Sequence, residues 1–77
     1  MNAQQPTLQP HQQRVIDELA ELNERIEKLS VFIGGDIYNA LEETDRYLLR
    51  VQRSAMYNYA EILHMRVKRF SPPPQSQ

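Results

Sequence analysis

The fold is decided by residues 10–36, which read PHQQRVIDELAELNERIEKLSVFIGGD. The apolar residues of this stretch recur at alternating spacings of four and three, which places them on one face of a single helix. They are Val15, Leu19, Leu22, Ile26, Leu29 and Ile33. We predict a helix that begins at Pro10, because a proline's missing N–H costs nothing in a first helical turn, and ends near Ile33. Two glycines follow, which can take positive φ and predict a turn.

A longer helical pattern follows that turn. Asp36 is a candidate N-cap for a short helix over residues 37–43, and Thr44 or Asp45 can cap a long helix over residues 45–69. The prolines that come next cannot continue a helix. The sequence therefore predicts an all-α fold, an antiparallel helical hairpin with a short helix at the turn, assembling as a homo-oligomer.

The two ends of the chain differ from its middle in composition, since they are polar and rich in Pro, Gln and Ser. We expect residues 1–9 to be a disordered N-terminus, residues 10–70 to form the hairpin domain, and residues 71–77 to be a disordered Pro-rich tail. A domain of this size buries only about 60% of the surface that its unfolded chain exposes. It therefore needs a partner or further copies of itself to gain stability.

Composition excludes several function classes. The chain has no cysteine and two histidines, which predicts neither disulfides nor a metal site, and we expect no cofactor. No apolar run reaches the roughly 20 residues of a membrane span, and no signal-peptide core is present, so we expect a soluble cytoplasmic protein. The acidic residues lie at solvated helix positions rather than in a sheltered cleft, so we do not expect an enzyme.

Charge is distributed unevenly along the chain, although the formal net charge is only −1. Residues 1–43 carry three basic and eight acidic side chains, whereas residues 44–77 carry six and two. Two interpretations are open. An acidic first helix can pair with a basic second one along their flanks, or the second helix can carry a local anion site. Binding to DNA is not expected, because the chain as a whole is not basic.

The second long helix is apolar on two faces. One stripe consists of Leu41, Leu48, Val51, Ala55 and Ile62, and the other of Leu49, Gln52, Met56, Tyr59, Leu63, Arg66 and Phe70. Only one stripe can pack on the first helix, so a single chain is expected to leave Met56, Tyr59, Leu63 and Phe70 substantially exposed. Self-association would cover them. The predicted oligomer interface consists of Leu49, Gln52, Met56, Leu63 and Phe70.

Antiparallel packing would bring the start of the first helix beside the end of the second. Cations, amides, a helix N-terminus and aromatic rings would then gather at one end of the hairpin. Arginine forks and helix N-termini suit phosphate, and aromatic rings suit a nucleobase. This end is a candidate nucleotide site. Alternatively, Gln52 and Arg66 hydrogen-bond across a subunit interface and set its register.

Two segments of the chain resemble a known family. They are the stretch PHQQRVIDE over residues 10–18 and the later pattern Leu48-Leu49, Gln52, Met56, Tyr59, Leu63, Arg66, Phe70. Both are similar to the hairpin domain shared by phage anti-CBASS and anti-Thoeris proteins, and the resemblance covers about residues 10–70. Members of that family oligomerise and act as sponges. They sequester cyclic nucleotide or cyclic ADP-ribose signals of bacterial immunity without cleaving them.

The resemblance implies that this chain is a phage protein that binds such a signal in the host cell cytoplasm. Arg14, Arg66 and Arg69 would then meet the phosphates, with His11 and Gln12 as secondary donors. Tyr59, or Tyr57 of a neighbouring subunit, would stack on a base.

The residues alone are also compatible with two other functions. The exposed stripe of the second helix can serve a small oligomeric adaptor or inhibitor that binds a host or phage protein in helix-in-groove fashion. The chain can also be a minor virion or regulatory component that merely dimerises. A sponge uses its stripe for its own subunits, whereas an adaptor leaves the stripe free and needs no small ligand.

Overall fold

The structure, a computed structural model, describes residues 8–70 and contains three helices in this range: α1 (Pro10–Ile33), α2 (Asp36–Ala40) and α3 (Glu43–Lys68). The all-α prediction is confirmed, since the described residues contain no strand. The helix lengths, 24 residues for α1 and 26 for α3, correspond to roughly 36 and 39 Å at 1.5 Å per residue. The two long helices can therefore pair over nearly their whole length. Disorder was predicted for residues 1–9 and 71–77. Residues 1–7 and 71–77 lie outside the described residues, and Gln9 is the N-cap of α1.

The antiparallel arrangement of α1 and α3 follows from contacts at both ends of the hairpin. Near the turn, the Arg53 guanidinium donates a hydrogen bond to the Ser30 hydroxyl at 3.4 Å. At the open end, Val15 belongs to the same buried cluster as Leu63, with Val67 packed against that cluster. The start of α1 therefore lies beside the end of α3, as the sequence predicts.

The core between the two helices is a single layer of apolar side chains. Its buried members are Val15, Leu22, Ile26, Ala60 and Leu63, and the half-buried residues packed on them are Leu19, Met56, Val67 and Phe70. Leu63 has only 1% of its surface exposed and is the one fully buried large side chain among the described residues. A core this thin makes each of its members important for stability.

The packing of α3 corrects one expectation. The stripe that contains Met56, Leu63 and Phe70 packs on α1, so the expectation that a single chain leaves these three residues exposed is wrong. Tyr59, at the edge of that stripe, is exposed as expected. The face left uncovered is instead the other apolar stripe. A role in an oligomer interface for Leu49, Gln52, Met56, Leu63 and Phe70 stays a prediction.

The short helix and the start of α3 differ from the predicted bounds. α2 begins at Asp36 rather than after it, and its N-cap is Gly35. It ends at Ala40 rather than at residue 43. The N-cap of α3 is Glu42 rather than Thr44 or Asp45, and Glu42 makes no side-chain capping hydrogen bond. The helix ends at Lys68, one residue before the predicted end.

Side chains of α3 hold the turn in place. The Arg46 guanidinium donates to the carbonyl oxygens of Asn39 at 3.2 Å and Leu41 at 2.9 Å, which satisfies backbone acceptors left free after α2. The Arg50 guanidinium donates to the hydroxyl of Tyr38 at 2.6 Å. Tyr38 is buried with 7% of its surface exposed. The turn is therefore anchored to α3 rather than being a loose loop.

The glycines at the turn end α1 after Ile33, as predicted, without adopting positive φ. Gly34 has φ −87° and ψ 6°, a conformation open to any residue. Its N–H donates to the Val31 carbonyl at 3.1 Å, and the Gly35 N–H donates to the Phe32 carbonyl at 3.0 Å. α1 thus ends by tightening into a turn with i→i+3 hydrogen bonds. A Cβ built on Gly34 meets nothing closer than 3.7 Å.

We therefore expect Gly34→Ala to raise the free energy of unfolding by roughly 0.4–1 kcal/mol, because alanine loses less conformational freedom on folding than glycine. Thermal unfolding followed by circular dichroism measures this change. A loss of more than about 1 kcal/mol would show that the turn needs a backbone conformation that only glycine adopts.

Candidate functional site

The open end of the hairpin gathers the predicted phosphate-binding arginines. Arg14 lies in the first turns of α1, next to the buried Val15, and Arg66 and Arg69 lie at the end of α3. All three arginines are exposed. Since Val15 and Leu63 share one core cluster, the helix ends that carry these arginines are adjacent. Guanidinium groups bind phosphate and carboxylate oxygens, so a role for these three residues in binding an anion stays a prediction.

These cations are not neutralised by the acidic helix. Among residues 8–70 the one ion pair lies within α1, between Lys28 and Glu24 at 3.8 Å. Both partners are mostly exposed, so the pair contributes little to stability. The interpretation that the acidic and basic helices form ion pairs along their flanks is not borne out in this range. The arginines at the open end are therefore available to a ligand.

The N-terminus of α1 contributes less to this end than the sequence suggests. The Gln12 side-chain oxygen accepts the Gln9 N–H at 2.9 Å, and the Gln9 carbonyl accepts the N–H groups of Gln12 and Gln13 at 2.9 and 3.0 Å. Pro10 has no N–H to offer. Most first-turn donors of α1 are thus already used, and anion binding at this end depends on side chains. Gln12, a predicted ligand residue, is half-buried and engaged in capping; His11 is exposed.

The two predicted stacking residues lie on different flanks of α3. Tyr57 and Tyr59 are two positions apart, and successive residues of an α-helix rotate by about 100°. Tyr59 shares a face with Arg66, seven residues further on, whereas Tyr57 faces the side on which Asn23 of α1 lies. Both rings are exposed, at 54% for Tyr57 and 43% for Tyr59. Within one chain, Tyr59 therefore lies on the flank of α3 that carries Arg66, and Tyr57 lies on the other flank.

Tyr57 lines a groove that the sequence did not predict. The groove lies between α1 and α3, has a volume of about 270 Å³ and is lined by Leu19, Asn23, Tyr57, Ala60, Glu61 and His64. The feature of the sequence that indicates this groove is Ala60. A small residue between large neighbours on a packing face leaves a depression between two helices.

Other kinds of site are not found in the described part of the chain. Residues 8–70 contain no group of three or more His, Cys, Asp or Glu side chains arranged to hold a metal ion. None of the helices in this range has the length and apolar content needed to cross a membrane.

Comparison with known proteins identifies a family. The sequence profile of the Sequestin family matches residues 9–69, nearly the whole of the described structure. Sequestin is the phage sponge family that sequesters immune signal molecules, and the resemblance inferred from the sequence is confirmed at this level. Neither a curated protein nor a solved structure matches the chain.

Proposed function

The chain belongs to the Sequestin family, and we propose on this premise that it is a phage-encoded sponge for a cyclic nucleotide-type immune signal. The ligand is a cyclic oligonucleotide or cyclic ADP-ribose, bound in the host cell cytoplasm and not cleaved. The family match carries this proposal. Support from the geometry comes from the exposed arginines at the open end of the hairpin, which have no ion-pair partner among residues 8–70.

In this proposal Arg14, Arg66 and Arg69 hold the phosphates of the signal, and His11 is a secondary donor. Tyr59 stacks on a base, because it lies two helical turns from Arg66 on the same face of α3. Cyclic nucleotides carry both a phosphate and a flat heterocycle, so they match this combination of guanidinium and ring. A sponge leaves the bound signal intact, whereas an enzyme would convert it into a product.

Self-association is part of the proposal, and the exposed face of α3 supports it. Leu48, Val51, Ala55, Asn58, Ile62 and Met65 recur at alternating spacings of three and four. All six are exposed in the single chain. This spacing is typical of the seam of a coiled coil, and Asn58 is the one polar residue among the six. We therefore propose that copies of the chain pack through this seam, on the face of α3 turned away from α1.

We expect Ile62→Glu to convert the oligomer into a monomer with unchanged helix content. Ile62 is 52% exposed in the single chain, so a charged side chain at this position leaves the hairpin core intact. In the oligomer the same charge would be buried in the seam between subunits, which costs free energy of association. Light scattering coupled to size exclusion measures the change in mass. Glu18→Gln is a control that does not touch the seam. An unchanged mass for Ile62→Glu would place the interface elsewhere.

Thermal unfolding against a panel of cyclic dinucleotides, cyclic trinucleotides and cyclic ADP-ribose isomers tests the ligand. A compound present at one hundred times its dissociation constant stabilises the protein by about 2.7 kcal/mol per site. For a domain of this size that amounts to a shift on the order of 10 °C. No shift with any compound class would contradict the sponge proposal.

The exposed seam of α3 also supports a second candidate, a small adaptor or inhibitor that binds a host or phage protein through this helix. Size exclusion at micromolar concentration separates the two candidates. A monomer would favour the adaptor, because its seam is free for a foreign helix, whereas a stable oligomer favours the sponge.

A further inference from the structure

We propose that two copies of the chain pair through the seam of α3 in antiparallel orientation, so that the open end of each hairpin lies beside the turn of its partner. The proposal rests on the self-association proposed above and adds the direction and register of the two helices. A C2 pair of this kind uses the same surface of both copies. It also brings residues of a second copy to the arginines of the open end.

The spacing of the seam residues permits a complete antiparallel match. The six residues are separated by steps of three, four, three, four and three positions, a series that is the same in both directions along α3. Two antiparallel copies can therefore bring every seam residue of one helix opposite a seam residue of the other. In this register Leu48 faces the partner's Met65, Val51 faces the partner's Ile62, and Ala55 faces the partner's Asn58.

The side chains that meet in this register are compatible in size and polarity. The four large apolar residues of the seam are 44–55% exposed in the single chain, so pairing removes apolar surface from water on both copies. At the centre, Ala55 is small and leaves room for the partner's Asn58. The two Asn58 residues lie three positions apart, roughly 4.5 Å along the helix axis, so their amides can hydrogen-bond to each other.

A parallel pair would also bury the seam, and charge along α3 decides between the two directions. Residues 42–45 contain three acidic side chains, and residues 66–69 contain three basic ones. None of these six has an ion-pair partner among residues 8–70. Antiparallel pairing places each acidic end beside a basic one and opposes the two helix dipoles. Parallel pairing places like charges together at both ends, which disfavours association.

The pairing distinguishes the two arginines at the end of α3. Arg69 follows Met65 by four positions and so continues the series of the seam. It therefore lies opposite the acidic start of the partner's α3. Arg66 shares the other stripe with Tyr59 and lies beside the seam rather than in it. Arg69 thus contributes to pairing in addition to its proposed contact with phosphate, whereas Arg66 serves the ligand alone.

Disulfide cross-linking tests the direction, because the chain has no cysteine of its own. Val51→Cys and Ile62→Cys are made separately, one with a tag that changes its mass, then unfolded, refolded together and oxidised. A disulfide needs Cα atoms roughly 4.4–6.8 Å apart, and two copies of residue 51 lie roughly 16 Å apart along the axis in this register. We therefore expect the mixed dimer to exceed either like dimer by about tenfold.

Ala20→Cys is the control, since it places a thiol at an exposed position of α1 outside the seam. An excess of the Val51→Cys like dimer would show parallel pairing and overturn the proposal. A statistical mixture of the three dimers, or no more dimer than Ala20→Cys gives, would overturn it as well. Binding of a cyclic signal in those cases would leave the sponge standing. A mixed dimer that binds no cyclic signal would support the pairing and contradict the sponge.

Discussion

Replacement of Leu63 by alanine is expected to lower the free energy of unfolding by about 3 kcal/mol. Leu63 is 1% exposed and lies at the centre of the single core layer, in one cluster with Val15, Leu22 and Ala60. The substitution leaves a cavity that two helices alone can hardly close. In a domain this small, the loss corresponds to a fall in Tm of more than roughly 10 °C, which thermal or urea unfolding followed by circular dichroism measures.

Val31→Ala is the control for this prediction. Val31 is 72% exposed, so its truncation removes apolar atoms that already contact water. A change within roughly 0.5 kcal/mol is expected there. If Leu63→Ala costs no more than Val31→Ala, the face of α3 that packs on α1 is not the one described.

Arg66→Ala is expected to weaken ligand binding by roughly 10- to 150-fold, since a hydrogen bond to a charged group contributes about 1.5–3 kcal/mol. Arg66 is exposed and has no ion-pair partner among residues 8–70, so its removal leaves the hairpin core untouched. Isothermal titration with the compound that gives the largest thermal shift measures the loss. The oligomer mass of the variant is expected to match that of the parent protein.

Lys28→Ala is the matched control for Arg66→Ala, because it removes an exposed cation near the turn, where Lys28 pairs with Glu24. Its affinity for the ligand is expected to be unchanged. Equal losses from both variants would point to long-range electrostatics rather than to a contact at Arg66. An Arg66→Ala variant that dissociates into monomers would assign Arg66 to the subunit interface instead.

The sequence predicts the long elements of this fold well and the short ones poorly. The 3–4 pattern of α1 runs without interruption and its bounds, Pro10–Ile33, agree with the prediction. The predicted bounds of α2 and the predicted start of α3 were wrong, because the true bounds depend on contacts across the turn. Arg46 holds the carbonyls of Asn39 and Leu41, and no local pattern reveals that bond.

The sequence does not show which of the two apolar stripes of α3 packs on α1. Both stripes have helical spacing, so periodicity does not show which one faces α1. Composition is misleading here, because the stripe that packs on α1 is the one that also contains Gln52, Tyr59 and Arg66. In the structure, two hydrogen bonds accompany the packing of α3 on the rest of the hairpin: Arg53 donates to the Ser30 hydroxyl and Arg50 donates to the Tyr38 hydroxyl. These pairs join residues far apart in the chain and have no signature in local spacing.

The candidate site was predictable in part. The position of Arg14, Arg66 and Arg69 at one end of the hairpin follows from antiparallel pairing of two helices of similar length, so it could be inferred from the sequence. The groove beside Tyr57 could not, because its presence depends on how Ala60 and Leu19 meet across the interface. The sequence also did not show that the N-terminus of α1 has few free N–H groups for an anion, since this results from capping by Gln12.

A sponge binds its immune signal and does not cleave it. The most direct measurement mixes the protein with the cyclic nucleotide and cyclic ADP-ribose panel, separates bound from free compound by size exclusion, denatures the protein fraction and identifies the released compounds by mass spectrometry. We expect at least one compound to elute with the protein and to be recovered intact. Recovery of no compound, or of a cleaved product alone, would contradict it.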